Sequence, residues 1–141
     1  MIDFNMVGPA LALGLSCLGS AIGCGVAGMS SHAVMSRVDE GHGKFIGMAA
    51  APSSQSIYGF ILMLLMSTSI KDGNLSAMSG VGIGLASGLA IMTSAIYQGK
   101  VAASGIQASA KKPAIFGKCF AAVGIVESFA LFAFVFALLI M

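Results

Sequence analysis

Apolar residues dominate four long stretches of the chain, roughly 6–35, 45–69, 77–99 and 113–140, each nearly free of charge. A helix rising ~1.5 Å per residue needs ~20 such residues to cross ~30 Å of hydrocarbon. All four stretches are long enough, so the pattern predicts an all-α integral membrane protein with four transmembrane helices and no soluble domain. Polar positions interrupt it in two ways. Short charged clusters separate the spans, and a few single polar side chains sit deep inside them.

The pattern also repeats. Shifting the sequence by ~74 residues aligns its halves without a gap. Val7, Gly8, Leu11, Ala12, Gly14 and Leu15 meet Val81, Gly82, Leu85, Ala86, Gly88 and Leu89, and "SAI" at 20–22 meets "SAI" at 94–96. Gly25 meets Gly99, Lys44 meets Lys118, and Phe60, Leu64 and Leu65 meet Phe134, Leu138 and Leu139. The unit is a helical hairpin, giving two tandem hairpins of the same orientation at 1–74 and 75–141. Parallel repeats argue against an inverted-repeat transporter. The first and third spans are rich in small residues, with GxxxG spacing at Gly19–Gly23, Gly80–Gly84 and Gly84–Gly88. Such spacing lets helix backbones approach closely in lipid. The second and fourth carry the bulk in Phe60, Phe129, Phe132, Phe134 and Phe136. Slim helices beside bulky ones predict concentric layers, small residues inside and aromatic residues outside.

Composition sharpens the class. The chain is 57% apolar and only 9% charged, with a mean hydropathy of +0.98, whereas soluble domains carry ~25% charged residues. The net charge of +2 matters less than its placement. Arg37 and Lys44 lie in the first connection beside Asp39 and Glu40. Lys100, Lys111 and Lys112 are assigned to the third, with Lys118 just beyond. The second holds only Lys71 and Asp72, and the N-terminus holds Asp3. Counting Lys and Arg, the positive-inside rule places connections 1–2 and 3–4 in the cytoplasm and both termini outside. A bacterial plasma membrane is the expected host. "MIDFNMVGPA" lacks the basic n-region of a cleaved signal peptide. Cys17 and Cys24 stand ~10.5 Å apart along one helix, too far for a disulfide. Cys119 forms no CxxC pair, and His32 and His42 have no partner ligands at metal spacing.

The candidate chemistry lies in the intramembrane polar residues. Counted from the equivalent turn positions Asp39 and Pro113, Gln55, Gln98 and Glu127 fall at one depth, roughly 21–24 Å from the turns. In "APSSQSIYGF", Ala51, Ser54, Gln55 and Tyr58 share a helix face by their i, i+3, i+4, i+7 spacing. Pro52 withholds a backbone donor there, bending the helix and loosening nearby carbonyls. A charged side chain at the bilayer centre costs about 2.5–3.5 kcal/mol on insertion scales. A carboxyl group in hydrocarbon therefore takes up a proton or pairs with a cation. Alternation between those conditions is what a carrier of H⁺ or Na⁺ needs. Neutral oxygen ligands around one carboxylate suit a hard cation, and a site for protons alone would not need two glutamines.

At these residues the chain resembles the rotor-ring proteolipid family (subunit K, or c-type) of V-type and archaeal-type rotary ATPases. The resemblance spans the whole length: two fused hairpins, a carboxylate confined to the last helix, and "YQGKVAASGIQ" and "KKP" before it. It implies a homo-oligomeric ring, with the first and third helices inside and the second and fourth outside. Glu127 matches the family's ion-carrying glutamate, and Gln98 the third-helix glutamine of sodium-coupled bacterial members. "PSSQSIY" matches a Pro-Gly-Thr-Gln-x-x-Tyr element. The match implies Na⁺ ligation by Glu127, Gln98, the Gln55 amide, the Ser54 hydroxyl and the Ala51 carbonyl. It also implies a hydrogen bond from Tyr58 to Glu127. Two departures stand out. Ser53 replaces the glycine, adding a hydroxyl and crowding. Ser54 replaces threonine, losing a methyl that fixes the rotamer. Neither removes a ligand, so Na⁺ is favoured over H⁺. Lys100 is expected to snorkel towards the cytoplasm.

The resemblance further implies partners: identical subunits, a stator membrane subunit with a basic residue, central-stalk subunits on the cytoplasmic loops, and lipid. No nucleic acid, covalent cofactor or catalytic site is expected. The chain has no GxxxxGK[ST] loop for ATP, and the glycine-rich "SGVGIGLASG" reads as intramembrane packing. The alternatives are a small four-helix proton-coupled drug antiporter using Glu127 and a purely structural proteolipid. An antiporter would line a substrate cavity with aromatics, yet the chain has no Trp. A structural proteolipid would need no aligned Gln–Gln–Glu layer.

Overall fold

A computed structural model describes residues 4–141, so Asp3 lies outside the described residues. The helices are α1 (Val7–Met35), α2 (His42–Ala50), α3 (Ser54–Lys71), α4 (Ala77–Lys111) and α5 (Phe116–Leu139). Tight 3₁₀ turns at Phe4–Met6, Ala51–Ser53 and Pro113–Ile115 lead into α1, α3 and α5. Joined through these turns, four segments are long and apolar enough to cross a membrane: Phe4–Met35, His42–Lys71, Ala77–Lys111 and Pro113–Leu139. The α2–α3 break falls at Pro52, whose missing N–H removes an α-helical bond and tightens the turn around it. Gly41 and Gly73, at φ +82° and +77°, supply the left-handed residues that let the chain reverse after α1 and α3.

One boundary differs from the sequence reading. The third span does not end at residue 99. α4 continues to Lys111, which places Lys100 within a helix and leaves Lys112 as the link to the Pro113 turn. Charge ends an apolar run but not a helix. "KVAASGIQASAK" has good helix formers, no proline, and nothing to interrupt its backbone hydrogen bonds. Lys100 is exposed and sets its ammonium 4.7 Å from the centre of the Tyr97 ring.

The helices assemble around one seam, between α1 and α4, which make the most extensive contact in the molecule. A stripe of small residues on α1 (Gly8, Ala12, Ser16, Gly19, Gly23, Ala27) is buried, as is one on α4 (Gly80, Gly84, Ser87, Gly88, Ala95, Gly99). A Cβ on Gly84 would fall onto the Gly8 carbonyl and one on Gly99 onto the Gly23 carbonyl. At Gly19 it would lie 2.6 Å from the Met92 Cα. Gly8 faces both Gly80 and Gly84, and Gly23 faces both Ala95 and Gly99. The two helices therefore run parallel, near the register of the repeat.

α3 lies against α1, with Gly59 seated on Ser16 and Ala12, while α5 lies against α4. Phe60, Phe129, Phe132 and Phe136 are exposed, as expected of an outer layer. Phe134 is not: it turns inward and stacks on Tyr58, ring centroids 5.9 Å apart. The reason is helical phase, since residue 134 follows Glu127 by two turns and shares the inward face with Ala130 and Ala137.

Two apolar clusters fill the interior. One, towards the α1–α2 turn, includes Ala27, Phe45, Met48, Ala102, Ile106 and Val123. The other includes Ala12, Leu62, Met66, Ile91, Ala130 and Ala137. The polar layer lies between them.

Candidate ion-binding site

Three helices supply this layer, and each places its side chains by simple geometry. The 3₁₀ turn at Pro52 delivers Ser54 and Gln55 to the first turn of α3, and Tyr58 follows one turn later. Gln98 is buried on α4, and its amide reaches α3 at Gln55 and α5 at Val123 and Glu127. Glu127 shares the inward face of α5 with Val123 and Ala130.

The structure brings all six sequence-predicted positions together. Ser54 Oγ donates to Glu127 Oε1 at 2.6 Å, and Tyr58 OH donates to the same oxygen at 3.0 Å. Gln98 Nε2 reaches Glu127 Oε2 at 3.3 Å and the Val123 carbonyl at 3.2 Å. Gln55 Nε2 donates to Gln98 Oε1 at 2.7 Å. The Ala51 carbonyl and Gln55 Oε1 lie 3.1 and 3.3 Å from the Ser54 hydroxyl oxygen. Both glutamines have no solvent exposure at all, so their amides must find partners inside the protein.

Glu127 thus has neutral partners only: a hydroxyl, a phenol and an amide. Bonds to an ionised carboxylate are about twice as strong as those between neutral groups. A carboxylate, an amide oxygen and a backbone carbonyl crowd around one hydroxyl oxygen, a donor set of hard oxygens that suits a hard cation. Such a set can bind a small cation or retain a proton on the acid.

Ser53, expected to crowd the site, does not. It is exposed, and its hydroxyl bonds the Ala50 carbonyl at 2.7 Å rather than any group of the site. Three further contributors escape a reading of the sequence. The Val123 carbonyl and the stacking of Phe134 under Tyr58 depend on how α5 is rotated, which spacing alone does not reveal. Ser94, whose hydroxyl donates to the Val126 carbonyl at 2.7 Å, does leave a signal: it sits one helical turn before Gln98, on the same face.

Comparison with known proteins follows the same lines. The family model for the C subunit of ATP synthase matches twice, over residues 7–66 and 81–140. The chain is 36% identical to the A-type ATP synthase subunit K of Methanocaldococcus jannaschii over 144 residues, covering 100% of this chain and 64% of the relative. It is 34% identical to the V-type sodium ATPase subunit K of Enterococcus hirae over 142 residues, covering 97% of this chain and 89% of the relative.

Proposed function

The chain belongs to the family of ATP synthase C subunits, and from that premise we propose that it is the ion-carrying rotor subunit in the membrane sector of a V- or A-type ATPase. It works as two fused hairpins, 1–74 and 75–141, and copies of it form a ring. The observation that carries this reading is the closed polar layer in which Ser54, Tyr58 and Gln98 all donate to Glu127.

The cargo is Na⁺. A proton on Glu127 would need one acceptor, whereas this layer supplies a hydroxyl, two amides and a backbone carbonyl beside the acid. The similarity to a sodium ATPase subunit points the same way. Glu127, Gln98, Gln55, Ser54 and the Ala51 carbonyl are the ligands, and Tyr58 holds the carboxylate in place. Gln98 offers its NH₂ to Glu127 and its oxygen to Gln55. Rotation of both glutamines about their terminal torsions keeps a hydrogen bond between them, now from Gln98 to Gln55, and gives an entering cation the Gln98 amide oxygen.

Charge governs the cycle. Glu127 paired with a cation is neutral and can face lipid, while the bare carboxylate cannot. A ring carrying loaded sites past hydrocarbon therefore needs a stator contact where the ion leaves and another enters. A basic stator residue holds the emptied carboxylate in between. Moving one charge through 100 mV is worth ~2.3 kcal/mol, so several ions must cross per ATP, which a many-membered ring provides. ATP chemistry and the central stalk belong to other subunits, the stalk meeting the basic turns on the cytoplasmic face of a plasma membrane. The antiporter alternative gains nothing from the family match.

Carbodiimide labelling of Glu127, read by mass spectrometry across pH with and without sodium, tests the reading, because the reagent attacks a protonated buried carboxyl. Protection by millimolar sodium is the expected result. Labelling that follows pH but ignores sodium would make the cargo a proton, and failure to label at any pH would remove the carrier role.

A further inference from the structure

The repeat offers an internal control for the site. Ser20 and Ser94 are equivalent residues of the two "SAI" segments, and both are buried, at 5% and 6% exposure. Their surroundings differ. Ser94 Oγ donates to the Val126 carbonyl at 2.7 Å, one residue before Glu127. Ser20 Oγ has no hydrogen-bond partner among the described residues. The carbonyl that repeat symmetry would offer it is that of Pro52, which lies in the 3₁₀ turn, whereas Val126 lies within an unbroken α-helix. The hairpin with the carboxylate has this bond, and the hairpin without one lacks it among the described residues.

Position gives the bond a purpose. Ser94 and Gln98 are one turn apart on α4 and grip α5 at Val126 and Val123. Both carbonyls belong to the turn of α5 that leads into Glu127. Two anchors a turn apart fix both the rotation of α5 and its slide along α4, so they decide whether residue 127 faces Ser54 and Tyr58. Gln98 must turn its amide for an entering cation. Ser94 and the Val126 carbonyl are not among the ligands, so their bond persists with the site loaded or unloaded.

We propose that Ser94 is a positioning residue for the ion site, holding α5 in the rotation that aims Glu127 at its ligands. This rests on the reading of Glu127 as the ion's seat. The test is the sodium concentration that half-protects Glu127 from carbodiimide in the assembled ring, for the unsubstituted protein, Ser94→Ala, Ser94→Thr and Ser20→Ala. One buried hydrogen bond corresponds to roughly a three- to tenfold change in an equilibrium constant. Ser94→Ala should raise the half-protecting concentration by about that factor, with ring mass in mild detergent unchanged. Ser94→Thr, which keeps the hydroxyl, should restore it to within about twofold, and Ser20→Ala should leave it there. An unchanged value in Ser94→Ala would overturn the proposal. So would an equal loss in Ser20→Ala, or a loss that threonine does not repair, since both describe packing rather than aim. If sodium fails to protect even the unsubstituted ring, the sodium assignment falls instead. The proposal is then decided by the pH of half-labelling: a shift in Ser94→Ala but not Ser20→Ala supports it, and no difference overturns it.

Discussion

The two hairpins repeat one pattern in sequence, and each matches the same family model, yet their polar residues differ. Each has a buried stripe of small residues that seats α1 against α4, although the two stripes do not fall at equivalent positions of the repeat. In the polar layer they part. Where the second has Glu127 and Gln98, the first has Ser53 and Cys24, both turned to the Ala50 carbonyl, at 2.7 and 4.0 Å. Where the first has Gln55 and Tyr58, the second has Phe129 and Phe132, which are 64% and 51% exposed. Each copy supplies some of the polar residues that meet at Glu127 and lacks the counterparts of the others. The seam is strict at single positions, since a Cβ on Gly84 or Gly99 would meet backbone, yet the repeat partners of seam residues are free to be large: Gly23 corresponds to Tyr97 and Gly80 to Met6.

Removing the second hairpin's carboxylate is the most drastic way to erase this asymmetry. Glu127→Gln keeps the shape and the hydrogen-bonding capacity but cannot hold charge. Ion-coupled ATP hydrolysis in the reconstituted complex should fall to background, while the ring keeps its mass in mild detergent. Coupled pumping in that variant would show that the seat of the ion is elsewhere. The reverse change, Ser53→Glu, gives the first hairpin a carboxylate with no glutamine, hydroxyl or phenol turned towards it. An unpartnered charge at this depth costs about 2.5–3.5 kcal/mol, so thermal stability of the ring should drop. The new acid should also label with carbodiimide without protection by sodium. Sodium protection at residue 53 would mean that the first hairpin still holds a latent site.

A smaller effect follows from making Tyr58 resemble its counterpart Phe132. Tyr58→Phe retains the stack on Phe134 but deletes the 3.0 Å bond to Glu127. Hydrogen bonds to charged groups contribute about 1.5–3 kcal/mol. Half-protection of Glu127 should therefore need at least about tenfold more sodium, with ring stability nearly unchanged. An unaltered requirement would assign Tyr58 to packing alone.

Much of this is legible in the sequence, for identifiable reasons. Hydrophobic length marks the four spans, and the repeat marks the parallel hairpins. Equal depth singles out Gln55, Gln98 and Glu127 because the helix rise is fixed by backbone geometry. What escapes depends on rotation and continuity. Lys100 resembles a span boundary, but a helix runs past an exposed lysine. Phe134 belongs by bulk with the outward aromatics, although its phase relative to Glu127 points inward. The Val126 and Val123 carbonyls are backbone atoms whose use no side-chain pattern announces.

The smallest expected effect is also the cleanest check on how the copies differ. Ser53 stands where the resemblance calls for glycine, and an added side chain beside Ser54 suggests crowding. In the structure the residue is exposed, and its hydroxyl is bonded to the Ala50 carbonyl three residues back. Ser53→Gly should therefore leave the half-protecting sodium concentration unchanged within about twofold. Ring stability should fall only by the backbone cost of glycine, roughly 0.5–1 kcal/mol. Tighter sodium binding in this variant would mean that Ser53 strains the ligand turn after all. The departure from the family pattern at position 53 would then set affinity, whereas the observed hydrogen bond makes it an exposed, neutral residue of the Pro52 turn.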